Sequence, residues 1–279
     1  MPRYSMRSFF IGVLLQCLLG YSSGARILGV FPHVAKSHFM MSEVLMKGLA
    51  SKGHEVVVIS HFPQETPIPN YTDISLVGSM PNVVSTVALD DLATGLVYTT
   101  MKFIFGLGVT GCEKTLSYPP VLKLINSNEK FDLVITELFN TDCYVGFAHK
   151  FQVPFISITT TAGLPWGLER VGNPENPSYI GNLLLGHSDR MSFVERVVNT
   201  VYLKLSHWAY HYLSDVPSQE IARKYFGQSL PPLADIVRNT SLLLLNSHFS
   251  ISKPAPNVPA VVEVGGLHVQ EPKKLPEVS

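Results

Sequence analysis

Residues 25–60 read ARILGVFPHVAKSHFMMSEVLMKGLASKGHEVVVIS, and the hydrophobic pattern of this stretch decides the fold. Residues 26–31 are a short apolar run closed by Pro32. After a polar loop, residues 38–52 carry Met41, Val44, Leu45, Gly48 and Leu49 at helical spacing, and Gly53 stops the helix. Residues 56–59 form a second continuous apolar run rich in β-branched side chains. Strands with no polar alternation, joined through a helix, build a parallel sheet covered on both faces. The order is Rossmann-like.

The same order returns downstream, with residues 131–138 predicted as strand, 141–151 as helix and 154–159 as strand, joined by short connections. Residues 80–128 between the two units read as helix and loop. Residues 172–177, GNPENP, are excluded from helix and central strand because two prolines remove donors and the glycine frees the backbone. In residues 190–213, Phe193, Val194, Val197, Val201, Leu205, Trp208 and Tyr212 form the stripe of a long amphipathic helix. Such stripes normally face the interior, so this one is predicted to pack inward. Residues 241–245 and 258–264 read as further buried strands. The predicted fold class is therefore α/β, a Rossmann-like parallel sheet with flanking helices.

Composition narrows the function classes. With 46% hydrophobic and 15% charged residues among 279, the chain buries one large core or two modest ones. Lysine and arginine together number 21 and so do aspartate and glutamate, which leaves no electrostatic footprint for nucleic acid. Residues 1–24 have a basic start at Arg3 and Arg7, an apolar run over 9–19, and small residues at Ser22, Ser23 and Gly24, the pattern of a cleavable secretory signal. That run falls short of the roughly 20 residues a bilayer span requires, and no later segment reaches this length, so the mature chain is expected to be soluble or peripherally attached. Two sequons, at Asn70 and Asn239, suit a glycosylating compartment. Cys112 and Cys143 in the mature chain are too few for a disulfide framework and lack zinc-site spacing, and their pairing stays open.

Ligands of open parallel sheets gather at the carboxyl ends of strands, which draws attention to residues 32–38, PHVAKSH, between the first strand and first helix. His38 there can take a proton from a substrate hydroxyl if an acidic neighbour holds its other nitrogen, and the end of the fourth strand offers Glu137 and Asp142. Each also has a structural account: His38 as a helix-start residue, Asp142 as a helix cap. Residues 106–111, GLGVTG, match the dinucleotide fingerprint in letters, but that motif belongs at the first strand-to-helix turn. His207 and His211 have the i, i+4 spacing of a two-histidine metal site without an evident third ligand, so no metal is expected. There is no nucleophile elbow and no phosphate-loop lysine.

Residues 25–60, together with FDLVITELFNTDCYVGFAHKFQVPFISITT (131–160), GNPENPSYI (172–180) and SLLLLNSHFSI (241–251), resemble successive landmarks in the N-terminal half of animal, particularly insect-type, UDP-glycosyltransferases. The resemblance implies the first domain of a GT-B fold, with residues 25–265 binding the acceptor, residues 266–279 starting an interdomain linker, and the donor domain absent. It also implies a transferase that moves a hexose from a UDP-sugar, UDP-glucose or UDP-glucuronate, to a hydroxyl of a small lipophilic acceptor with inversion. The UDP-sugar is a co-substrate, and no separate cofactor is implied. The family's catalytic histidine falls on His38; its assisting acid falls on Asp142 by the insect-type pattern, which is the reading preferred here, with Glu137 the alternative if the strand end is aligned with vertebrate relatives. The implied place is the endoplasmic reticulum lumen of the secretory pathway, with membrane attachment through a C-terminal helix, homo- or hetero-oligomers among the partners, and detoxification among the roles. The chain alone is expected to be inactive; the alternative is a short non-catalytic isoform that binds lipophilic ligands or pairs with full-length subunits.

Overall fold

A computed structural model describes residues 24–81, 97–252 and 254–269. The expected signal segment lies outside them except for Gly24, as does the expected linker beyond residue 269. Seven strands form one parallel sheet: β1 (Arg26–Phe31), β2 (Glu55–Ser60), β3 (Tyr71–Ser75), β4 (Leu133–Glu137), β5 (Phe155–Thr159), β6 (Thr240–Leu245) and β7 (Val261–Glu263), in the spatial order β3-β2-β1-β4-β5-β6-β7. The helices are α1 (Lys36–Ser51), α2 (Val97–Leu116), α3 (Pro119–Ile125), α4 (Gly146–Phe151), α5 (Phe193–Tyr210), α6 (Val216–Phe226) and α7 (Leu233–Ile236), with a π-helical turn His211–Asp215 between α5 and α6. Among the described residues, no helix is long and apolar enough to cross a membrane.

The central strands β1, β2, β4 and β5 are buried on both faces, as the unbroken apolar runs require. Alternate residues of β1 and β2 point to opposite sides: Leu28, Val30, Val57 and Ile59 pack beneath α2, α3 and α6, whereas Ile27, Phe31, Val56 and Val58 pack against Phe39, Met41 and Met46 of α1. Gly29 is required where α1 crosses, because a Cβ there would sit 2.6 Å from the Phe31 ring and 3.0 Å from Met46 Cε. Phe147 of α4 is fully buried among Phe151, Phe226 and the sheet. Truncating it to alanine would cost about 3–5 kcal/mol.

The order reverses at β1, whose neighbours are β2 on one side and β4 on the other. That reversal opens a crevice at the carboxyl ends of β1 and β4, the usual ligand position in open parallel sheets. It is here that His38, Glu137 and Thr160 meet.

Two expectations are overturned. The buried strand expected over 258–264 is instead the short edge strand β7, in which only Val261 is buried, because it has a neighbour on one side alone. The apolar stripe of α5 faces outward: Phe193 is 73% exposed, Trp208 57%, and Val194, Val197, Val201, Leu205 and Tyr212 are all exposed. The buried face instead carries Asn199, Ser206, Ala209 and Tyr210. The reason is hydrogen bonding. Asn199 donates to the carbonyls of Pro177 and Ile180 and accepts from the Asn182 amide, and Tyr210 donates to Asp142, so the polar side is what fastens this helix to the 177–182 loop and to the sheet end.

Candidate active site

His38 lies in the first turn of α1, which starts after Pro32 closes β1 and a loop turns the chain. Its Nδ1 is 2.5 Å from Oε1 of Glu137, the last residue of β4. Thr160, immediately after β5, completes the group: its hydroxyl lies 3.2 Å from His38 Nδ1 and donates to Glu137 Oε1 at 3.3 Å. Three adjacent strand ends thus supply a base candidate, an acid and a hydroxyl. A carboxylate at Nδ1 fixes the tautomer with the proton on that nitrogen, which leaves Nε2 as a lone pair. The ring is pinned on its other sides by Phe139, edge-on at 4.5 Å between centroids, and by His33, stacked at 3.8 Å.

Beside this group is a cavity of about 290 Å³ with His33, Val34, Leu107, Phe139 and Tyr144 in its walls, and with Glu137 at its edge. Its surface is mostly apolar, which suits a lipophilic body with few polar groups. One wall is α2. The GLGVTG stretch lies inside that helix and does not itself form a strand-to-helix turn; of its glycines Gly108 serves packing, since a Cβ there would fall 2.3 Å from the Asn140 carbonyl, whereas one on Gly106 would meet nothing within 4 Å. Cys112 of α2 is disulfide-bonded to Cys143, which ties this wall to the turn after β4. The pairing that spacing left open is thereby present.

Asp142 sits apart from the His38 group in its contacts. Its two oxygens take a bidentate hydrogen bond from Arg170 at 2.9 and 3.0 Å, and Tyr210 donates to it at 2.7 Å. Asp142, Arg170 and Tyr210 are each at least nine-tenths buried. Burial works against the charge on Arg170, but Asp142 and Tyr210 more than offset it and hold its pKa above the ordinary arginine value. Burial, then the Asp142 charge, pushes the Tyr210 hydroxyl well above its usual value. The arrangement is that of a compensated ion pair, and it anchors the β4 turn to α5.

The remaining sequence candidates separate. Asn70 and Asn239 are both exposed, on the turn into β3 and just before β6. His207 and His211 do not converge: His207 lies between Glu169 (3.4 Å) and Glu175 (3.2 Å), and His211 pairs with Asp215 at 3.2 Å. Glu169 and then Glu175 raise His207 to about 9, so at neutral pH it is a cation with no lone pair to offer a metal. Two site residues had no sequence signal of their own: Phe139 and Thr160 become neighbours of His38 through strand order, whereas His33 belongs to the PHVAKSH stretch.

A family model described as UDP-glucoronosyl and UDP-glucosyl transferase matches residues 70–278. Among curated proteins, UDP-glucosyltransferase 2 of Dactylopius coccus is 39% identical over 266 residues, covering 94% of this chain and 51% of the relative. UDP-glycosyltransferase UGT5 of the same insect is 34% identical over 96% of this chain and 52% of the relative. UDP-glucuronosyltransferase 1A3 of Rattus norvegicus is 28% identical over 94% of this chain and 51% of the relative. The chain spans about half the length of the curated relatives it matches.

Proposed function

This chain belongs to the UDP-glucoronosyl and UDP-glucosyl transferase family, and from that premise we propose that its cavity binds the acceptor and that His38 is the general base of an inverting sugar transfer. His38 Nε2 takes the proton of an acceptor hydroxyl. The oxygen then forms a bond to the anomeric carbon of the sugar as the bond from that carbon to the UDP phosphate oxygen breaks, on the opposite face, and UDP leaves with the electron pair. Glu137 holds Nδ1–H and stabilises the imidazolium that forms. Thr160 keeps that carboxylate in place. The observation that carries the reading is the 2.5 Å contact between His38 and Glu137, the latter a lining residue of an apolar cavity.

Glu137 replaces Asp142 as our choice of assisting acid, because the Asp142 carboxylate is saturated by Arg170 and Tyr210. The donor in this reading is a UDP-sugar such as UDP-glucose or UDP-glucuronate, and the acceptor a small lipophilic alcohol or phenol. In the GT-B arrangement the donor is held by a second domain across the crevice. The exposed sequons and the disulfide fit folding in the endoplasmic reticulum lumen.

The test joins this chain to the remaining half of the 39% identical relative and measures glucose transfer to a phenol. His38→Ala is expected to lower kcat/KM by about 10²–10⁴. Turnover at the parent rate in that variant would remove His38 from the chemistry.

A further inference from the structure

We propose that His33 selects the acceptor by donating a hydrogen bond from Nε2–H to an oxygen on the carbon next to the reacting hydroxyl, so that the site favours catechols and other vicinal oxygen pairs over isolated hydroxyls. The inference rests on His38 being the proton acceptor and adds the substrate class.

The tautomer of His33 is set by its backbone. Its Nδ1 accepts the Ala35 amide at 3.1 Å, so this nitrogen holds the lone pair and the proton of the neutral ring sits on Nε2. Burial, and then the neighbouring His38, hold His33 down to about 4; His61 adds to the lowering, and Glu137 opposes it. The ring is therefore neutral near pH 7. Among the described residues His33 Nε2 has no hydrogen-bond partner, it is not among the sealed-off polar atoms, and its ring lines the cavity.

His38 is wired the other way. Glu137 takes its Nδ1–H, and its Nε2 is the free lone pair. Two imidazoles stacked 3.8 Å apart at an interplanar angle of 21° thus offer unlike edges, one that accepts a proton and one that donates a hydrogen bond. Oxygens on adjacent carbons of an arene lie about one hydrogen-bond length apart, roughly 2.8 Å, so a vicinal pair can engage both rings at once. One hydroxyl gives its proton to His38 while the neighbouring oxygen accepts from His33. A charged His33 would repel the imidazolium formed on His38; a neutral one does not. Val34, Leu107 and Phe139 enclose the apolar body of such a ligand.

Calorimetric titration of the full chain with 4-propylcatechol and 4-propylphenol tests this, since the two probes differ by one oxygen. The catechol is expected to bind about fivefold tighter, the worth of one net hydrogen bond. His33→Phe keeps a ring for stacking and should bring the ratio to about one, whereas His33→Gln, whose amide N–H reaches to the same distance, should retain part of it; thermal melts of both variants verify folding. A catechol preference that survives in a folded His33→Phe would overturn the inference and leave the role of His38 standing. Failure of both probes to bind the unaltered chain would sink the acceptor cavity itself, and this inference with it.

Discussion

Glu137 Oε1 lies 2.5 Å from His38 Nδ1 although 99 residues separate them in the chain. The contact exists because β1 and β4 are hydrogen-bonded neighbours in register, Val30 beside Thr136, so that their carboxyl ends open on the same crevice. A charged acceptor at Nδ1 matters most once His38 carries a second proton.

Glu137→Gln should therefore slow the chemistry without loosening the fold. The amide oxygen can still accept from Nδ1–H, but it brings no charge to stabilise the imidazolium. In the full-length chimaera kcat is expected to fall about 10²-fold with KM nearly unchanged. A variant with normal kcat would show that the carboxylate is only a structural partner of the ring.

Asp142→Asn should do the reverse, with its effect on stability. Arg170 would be left buried with its partner's charge gone, a loss of about 3–5 kcal/mol, or roughly 10 °C in Tm for a domain of this size. Thermal melts of Asp142→Asn and Glu137→Gln side by side separate the two acids. An Asp142→Asn melt matching the parent, combined with lost turnover, would return Asp142 to the reaction.

Much of this architecture is legible in residue patterns. Residues 26–31 and 56–59 declare a doubly covered parallel sheet by having no polar alternation, and PHVAKSH at the first turn marks the ligand end. Strand β3, TyrThrAspIleSer, is not legible: only Tyr71 and Ile74 are large apolar residues, and an edge strand covered on part of its surface needs no more. The outward stripe of α5 misleads for a clearer reason, since periodicity reports which residues share a face and says nothing about which face is buried. Here Asn199 and Tyr210 decide, through hydrogen bonds to residues 17 to 68 positions away. The choice between Glu137 and Asp142 is likewise invisible in spacing, because Arg170, 28 residues on, is what occupies Asp142.

Reduction of the Cys112–Cys143 bond should loosen one wall of the cavity. The bridge closes a loop of 31 residues, and by chain-entropy reasoning it is worth about 3–4 kcal/mol. It also holds α2 where Gly108 touches the Asn140 carbonyl. Cys112→Ala/Cys143→Ala is expected to melt about 10 °C lower and to bind phenols more weakly. Unchanged Tm and affinity would mean that Gly108, Asn140 and their neighbours hold the wall without the bridge.

His207 gives the fold an alkaline limb. Its pKa is raised from the ordinary 6.5 to about 9, first by Glu169 and then by Glu175. The folded state therefore binds more protons than the unfolded chain between these values, so the stabilisation is complete below pH 6.5 and is lost as pH rises through about 9. The side chain of Glu169 is 67% exposed, and solvent screening reduces the worth of the cluster to about 1 kcal/mol. Melts at pH 6.5 and 9.5 are expected to show the parent losing about 2–4 °C more than His207→Gln across that interval. Equal losses in the two proteins would mean that the imidazole titrates alike in the folded and unfolded states, and that the two glutamates do not hold its proton.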